Sequence, residues 1–515
     1  MKTKSVLRHL KATKRIAIWS AAMTGLAVTG LAQTTPVPKQ PAPAAAQAEQ
    51  TTAAPAQSAS AQIAGYKIEE TRLGQFEWNG GATPLVSGDH RHVAYVTGGG
   101  SCSAGKHACI LLDGQAIPLN EHYNVILGMS FGNLALSFDG KHWAYGAYDG
   151  KKSRLLVDGK PTAECDGCGQ YSGLVFSPDG TRLAYVTGKA DRKHSSFREV
   201  VDGVTSPEYD MVERAAFSPD SKHVAYAAKM GNLWTMIVDG KPGATYDSVK
   251  DPVFSPDSRR LAYIAGQGGL CSMVVDGQVG TGYTGIYIAP KYPWPFSPDS
   301  KSVAYAAQKS IEFDKKTLTG ERMQKGSEWV MVVDGQESPA YKYIGVGSPA
   351  FSKDGKHMAY SAWWGGRDPW RLVVDGKPGD EYFGIYYPLF SPDGKHIAFF
   401  APKPGTGKSW TLVEDGQWGT EYYFVSVSTF SYDSQHFAYA AQTRQGLNPV
   451  GDPFGGGGWS VVLDGKRGTE YNVIIPSTLL YNSNGSLEFL AIQKENHSML
   501  EHHGSLYRVK YTPIP

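Results

Sequence analysis

The stretch Phe390-Ser391-Pro392-Asp393-Gly394-Lys395-His396-Ile397-Ala398-Phe399 decides the fold, because close copies of it recur along most of the 515 residues. Each copy is followed by a phrase of the type Trp-x-x-Val-x-Asp-Gly, here Trp410 to Gly416, and then by a Tyr, here Tyr422. The Asp of the first phrase falls at Asp89, Asp139, Asp179, Asp220, Asp257, Asp299, Asp354, Asp393 and Asp433, with Asn484 as a degenerate tenth. The Asp of the second falls at Asp113, Asp158, Asp202, Asp239, Asp276, Asp334, Asp375, Asp415 and Asp464. Most copies of the first phrase lie 37 to 50 residues apart, which is room for four short strands and two hairpin turns. Nothing in the unit carries helical periodicity.

One unit shows the strands. An apolar run ends at Phe217, and Ser218-Pro219-Asp220-Ser221 turns the chain, with Pro pre-setting φ and Asp able to bond its own backbone. Residues 224–226 read as a second strand and 234–238 as a third, alternating so that Trp234, Met236 and Val238 share a face. Asp239-Gly240 suits a tight hairpin because both residues tolerate positive φ. Residues 246–249 read as the fourth strand. Four antiparallel strands repeated radially build an all-β β-propeller, here of about ten four-stranded blades. The last unit offers three strands, 477–481, 487–492 and 505–511. The alternating stretch 66–78 before the first repeat is expected to supply the fourth and so close the ring. One ring is the simplest reading; two fused smaller propellers are the alternative.

The repeated Phe-Ser-Pro-Asp-Gly-Lys-x-x-Ala-Tyr phrase resembles the WD40-like repeat of TolB-type propellers, found also in the propeller domains of prolyl oligopeptidase-type peptidases. The resemblance covers roughly residues 84 to 500 and recurs at least eight times. It implies the propeller fold. No α/β domain precedes the repeats and they outnumber the six blades of TolB, so it implies none of TolB's partners.

Residues 1–32 hold Lys2, Lys4, Arg8, Lys11, Lys14 and Arg15, then an apolar run from 16 to 32 with the small residues Gly30 and Ala32 at its end. This reads as a secretory signal, with an uncleaved anchor as the alternative. Residues 33–62 are Pro, Ala, Gln, Ser and Thr and are expected to be a disordered linker; 63–515 form the propeller. The formal charge is +2, and −4 without the signal's six basic residues, a balance that gives no footprint for nucleic acid. A periplasmic or secreted protein with no membrane span after signal cleavage is expected.

Export gives the cysteines meaning. Cys102 and Cys109 lie in one connection of the first blade and suit a local disulfide. Cys165 and Cys168 take the recurrent Tyr and Ile/Val positions seen in Tyr246 and Val249; a disulfide there needs Asp166-Gly167 to turn, and apolar filler is the alternative. Cys271 stands where other repeats have Trp and reads as a packed thiol. His92, His142, His223, His357, His396 and His436 recur at one repeat position, which points to repeated packing rather than metal. Gly128-x-Ser130-x-Gly132 lacks the helix a nucleophile elbow needs, and Gly405 to Ser409 lacks the helix of a phosphate loop. No catalytic set, metal or cofactor is expected.

The two turns of each blade share one rim of the ring; the second-to-third connections and the blade crossovers share the other. The turn rim is monotonous and the loop rim varies. The step from second-strand aromatic to third-strand Trp is 24 residues at Tyr305 to Trp329 and 20 at Tyr439 to Trp459. Trp363, Trp364 and Arg367 fall in such a connection, and Tyr287, Tyr292, Trp294, Tyr386 and Tyr387 in crossovers. These eight form the candidate ligand platform; packing against neighbouring blades is the competing reading of each. Two functions follow. One is a non-enzymatic binding or scaffold protein of the cell envelope that recognises a protein, peptide or glycan through its loop face. The other is a lyase or hydrolase with its site at the channel mouth, which requires convergent acids or a metal.

Overall fold

The computed structural model describes residues 63, 65–77, 84–98, 108–117, 124–125, 134–148, 152–167, 173–190, 195–287, 295–317, 320–403, 409–443, 458–494 and 503–514. The expected signal and linker lie outside them. The strands fall into ten antiparallel sheets, which are the ten blades of one ring. In the fourth blade Met211–Val212 and Ala216–Phe217 pair with Val224–Met230, followed outward by Leu233–Val238 and Lys241–Tyr246.

The fourth strand therefore begins directly after the Asp-Gly turn, and the expectation of 246–249 is corrected. Asp239 (φ 50°) and Gly240 (φ 76°) form a two-residue turn, so the chain pairs again at once, with Val238 opposite Lys241. Val249 already belongs to Ser248–Phe254, the first strand of the next blade.

Blade identity is fixed at the turn rim by hydrogen bonds internal to each repeat. Ser218 Oγ donates to Asp220 Oδ1 (2.6 Å), the Lys222 amide donates to the same oxygen, and Ser218 Oγ accepts from the His223 amide. The Asp-Gly aspartate then locks the two turns together. Asp239 Oδ1 accepts from the Val224 amide (2.9 Å) and Oδ2 from His223 Nδ1 (2.7 Å). The six recurrent histidines all make this latch at 2.6–2.8 Å. In the third and fifth blades Arg182 and Arg260 replace it, each reaching its Asp through Nε at 2.8 Å.

Seams between blades carry the core, and one apolar cluster fills each. The cluster of Ala306, Met331, Tyr341, Tyr360 and Ala362, for example, joins blades 6 and 7. Ring closure follows the same rule. Tyr66–Glu77 pairs antiparallel with His503–Pro513 as the outer strand of blade 10, from Tyr66 opposite Pro513 to Glu77 opposite His503. Phe76, Leu490, Ile492 and Leu506 of that blade then pack on Val86, Val93 and Tyr95 of blade 1. Here a glycine is obligatory, because a Cβ at Gly74 would overlap the Gly114 carbonyl in the Asp-Gly turn of blade 1.

Serine replaces glycine in four of the first turns. Ser221, Ser258, Ser300 and Ser434 adopt φ of 63–65°, a region costly for a residue with a Cβ. Each hydroxyl accepts the amide of the preceding blade's turn aspartate, from Asp179, Asp220, Asp257 and Asp393 respectively, at 2.9–3.0 Å. An inter-blade hydrogen bond thus offsets the backbone strain.

The 24-residue step in blade 6 is no irregular loop, contrary to expectation. Ala304–Thr317 and Gly320–Val333 continue the ladder as a hairpin out to Thr317 opposite Gly320. Most of the connection after Tyr439 lies outside the described residues.

Two of the latches hold their histidines above the usual value. Hydrogen bonding to Asp415 holds the His396 imidazole above its usual value, and Asp113 does the same for His92 against opposing burial. Their contribution is complete below the unfolded histidine value of about 6.5 and is lost as pH rises through the folded one. An NMR titration should therefore place His396 above 6.5, and the stability deficit of His396→Asn should shrink between about pH 5.5 and 9. A deficit equal at both pH values would show that the latch is not ionic.

Candidate ligand-binding face

The aromatic residues of the loop rim arise from two strand positions that meet there. The third strand starts with Trp, and the first strand of the next blade starts with an aromatic. In blade 7, Tyr343, Trp363, Trp370 and Tyr382 stand opposite one another in a row across the sheet. Trp363 stacks on Trp370 (centroids 6.3 Å, planes 17° apart), and Tyr343 meets Trp370 edge-on at 5.9 Å and Trp329 of blade 6 at 5.7 Å. The pattern continues through blades 8 and 9, where Tyr386 meets Trp410 (5.1 Å), Trp410 meets Phe424 (5.8 Å) and Phe424 meets Trp459 (6.1 Å). Such pairs contribute roughly 0.5–1.5 kcal/mol each beyond area burial, so the rim is stiff.

Trp363 is half-buried, and its Nε1 donates to the Asp368 carbonyl (2.8 Å), which pins the connection carrying Trp364 and Arg367. Trp364 is 36 % exposed and stands edge-on to Tyr341 at 4.9 Å. Arg367 is exposed and makes no ion pair among the described residues. Tyr287, Tyr386 and Tyr387 are half-buried. Burial, and then the neighbouring Tyr343 and Tyr387 hydroxyls, push both Tyr287 and Tyr386 up to about 12. Their phenols are therefore neutral at physiological pH and able to donate hydrogen bonds. Tyr387 sits at φ 53° in a register shift between Tyr386 and Leu389, with its backbone pressed against Gly347.

The structure thus gathers Tyr287, Tyr386 and Tyr387 around Tyr343, and Tyr343 links them through Trp370 to Trp363. Tyr292 and Trp294 lie outside the described residues. Sequence reasoning missed Tyr343. Its signal was the spacing Tyr341-x-Tyr343, repeated as Tyr422-x-Phe424.

A second group lies on the innermost strands facing the channel. Arg214 and Asp251 each stand three residues before the turn phenylalanine, as Tyr387 does in blade 8. Arg214 is crowded by protein yet exposed, and it lies beside Gly173, where a Cβ would sit 3.4 Å from its Nε. Burial pushes its guanidinium down. Glu213 is pushed up by burial and then by Asp251, with Lys250 opposing; Lys250 Nζ is 3.8 Å from Asp251 Oδ2. Among the described residues no group of three or more His, Cys, Asp or Glu could hold a metal ion.

Cys165 ends the outer strand Lys160–Cys165 and is disulfide-bonded, just before a bend at Asp166-Gly167 with Gly167 at φ 60°. Cys102 and Cys168 lie outside the described residues, as does the side chain of Cys109. Cys271 is a free, half-buried thiol packed in the seam of blades 5 and 6.

No protein-family model matches the chain, and no curated protein matches it. Solved structures similar to it include a eukaryotic initiation factor, at 13 % identity and TM-score 0.39 over 74 % of this chain and 96 % of that one. TolB from Acinetobacter baumannii is similar at 16 % identity and TM-score 0.26, over 56 % of this chain and 79 % of that one. The acylaminoacyl peptidase of Pyrococcus horikoshii is similar at 11 % identity and TM-score 0.25, over 61 % of this chain and 56 % of that one. At these values no activity passes from them to this chain.

Proposed function

We propose that this chain is an exported, non-catalytic propeller of the cell envelope that holds a protein, peptide or glycan on its loop rim. The continuous aromatic surface from Trp363 through Trp370 and Tyr343 to Tyr386 carries the reading. Its rings are fixed by one another and by the Trp363–Asp368 hydrogen bond, while Trp364, Tyr343 and Arg367 stay exposed. Trp, Tyr and Arg in such a setting dominate binding energy most often. Export to the periplasm or beyond rests on the basic and apolar residues of 1–32, with the disulfide at Cys165 in support. Among the described residues no helix is long and apolar enough to cross a membrane.

The test is a panel of soluble oligosaccharides and peptides, with the ligand found then titrated into the Trp363→Ala/Trp364→Ala double variant. Binding should weaken at least tenfold, about 1.4 kcal/mol, while the fold persists with a melting temperature lowered only by the loss of the Trp363 stacking and hydrogen bond and the Trp364 ring contact. Unfolding would make the pair core, and unaltered binding would place the platform elsewhere.

A second reading, a channel-mouth hydrolase or lyase, draws on Glu213 and Asp251. Two carboxylates on adjacent innermost strands, one of them pushed up by burial, are the kind of pair acid–base chemistry uses. Turnover of the same panel, lost in Glu213→Gln, would favour this reading over the first.

A further inference from the structure

The outer strand of each blade leaves one edge of its sheet without a neighbouring strand. Such an edge is a template for another chain unless charge, proline or a bulge guards it. In blades 1 to 9 the outer strand lies within the six residues that follow the Asp-Gly turn, and in all but one of these segments a proline or a charged residue stands. Lys241-Pro242 of blade 4 and Lys377-Pro378 of blade 7 are examples. The outer strand of blade 10 carries Lys67, Glu69, Glu70 and Arg72. Blade 5 is the exception, because Gln278-Val279-Gly280-Thr281-Gly282-Tyr283 holds neither proline nor charge.

The strand beside it has lost its charge as well. In blades 2, 3 and 7 an ion pair crosses from the third strand to the outer segment, Arg154 to Glu164, Arg198 to Glu208 and Arg371 to Glu381. At that place blade 5 sets Ser272 opposite Gly282. Gln278 to Gly282 are all exposed, Val279 by 56 %, and the exposed Leu270 leans over Gly282, 3.2 Å from where a Cβ there would stand. A bulge sets Gly280 and Thr281 against Met273, but blades 2, 4, 7 and 9 have a bulge in the same strand and still carry charge. Beyond it the blade 5 strand pairs again, with Tyr283 opposite Cys271.

We propose that the outer edge of blade 5 joins a second copy of this chain, the two Gln278–Tyr283 strands lying antiparallel about a twofold axis at Thr281. A twofold contact sets a surface against itself. Charges on such a strand would face their own kind, and like charges opposite one another destabilise a strand pair; this strand has none. An axis at Thr281 sets Gly280 of one protomer opposite Gly282 of its partner, so no side chain holds the two backbones apart. Val279 and Leu270 then leave water at the margin of the contact. The partner must also bring an unguarded edge, and a second copy brings the same one. The outer strand runs from the turn rim to the loop rim, so antiparallel pairing turns the two aromatic rims to opposite ends of the dimer.

The experiment is sedimentation velocity of the purified protein from about 1 to 300 μM, a range that brackets an edge contact of modest area. A monomer–dimer equilibrium is expected. Thr281→Lys puts two ammonium groups beside the axis and should weaken the dimer at least tenfold. Ala244→Lys, at the equivalent exposed position of the guarded blade 4 strand, should leave it unchanged. Both substitutions lie on exposed outer strands, so melting temperatures should stay close to that of the native protein. Particle images of the dimer should show two rings side by side. A protein that stays monomeric throughout the range would overturn the proposal. So would a folded Thr281→Lys variant that dimerises as tightly as the native chain, an equal loss in Ala244→Lys, or rings stacked face to face.

Discussion

Removing residues 63–77 is expected to open the ring and lower the melting temperature by many degrees, whereas removing 33–62 leaves every described pairing intact and should change it little. The strand Tyr66–Glu77 is paired along its length with His503–Pro513. It places Phe76, 1 % exposed, in the seam with blade 1, while Ile63 lies in the seam of blades 9 and 10. Losing those two side chains from the core costs roughly 3–6 kcal/mol by area alone, before the exposed sheet edge is counted. Circular dichroism melts of the two deletions decide the matter. Equal melting temperatures would show that the ends do not hold the ring together.

The second large effect is stabilising. Glu199 lies on Ser195–Val201 of blade 3, 1 % exposed, and its Oε2 has no hydrogen-bond partner among the described residues. The equivalent positions of other blades hold Met236, Met273, Met331 and Leu372. Burial pushes Glu199 up to about 8, from 4.5 in a solvated chain. A raised carboxyl is neutral in the fold at low pH and costs nothing there; stability is lost as pH rises from 4.5 through about 8. The full penalty above that range is roughly 5 kcal/mol, and at pH 7 about 3 kcal/mol. Glu199→Met should raise stability at pH 7 by that order and flatten the fall in stability with pH to what the histidine latches leave. Glu199→Gln, which keeps the shape, should flatten it as well. Denaturant melts across pH 5 to 9 measure both, and a slope as steep in the variants as in the native protein would mean that Glu199 does not titrate in the fold.

What was legible in the sequence was turn chemistry. Asp-Gly forces one hairpin geometry wherever it occurs, and Ser-Pro-Asp announces the other turn, so blade number and ring closure could be counted off. The outer strands were not legible. Lys241–Tyr246 is almost wholly exposed, so no alternation marks it, and the apolar Tyr246 and Val249 drew the reading one strand too far. The hairpin of blade 6 was misread for a related reason. Residues 309–328 mix charged and polar types, and a ribbon that pairs only with itself leaves no apolar rhythm to read. The latching histidines were visible as a column but not as ion pairs, because their partners lie 16 to 28 residues downstream. In the site, Trp363, Tyr386 and Tyr287 could be chosen by residue type and position. Tyr343 joins them only through the fold, and Glu213 meets Asp251 only because the inner segments of blades 4 and 5 lie side by side.

The serine hydroxyls at the turn rim divide the ring mechanically. They stitch blade 3 to 4, 4 to 5, 5 to 6 and 8 to 9. Across the two seams joining blades 6, 7 and 8 the same turn position is Gly355 and Gly394, which have no hydroxyl to offer. The aromatic surface of the loop rim spans those two seams. Blades 3 to 6 are therefore one stitched run and blades 8 and 9 another, and the two seams between these runs can splay at their underside while the rings above them stay in register. A ligand seated on Trp370 and Tyr343 rests on the part of the molecule that yields.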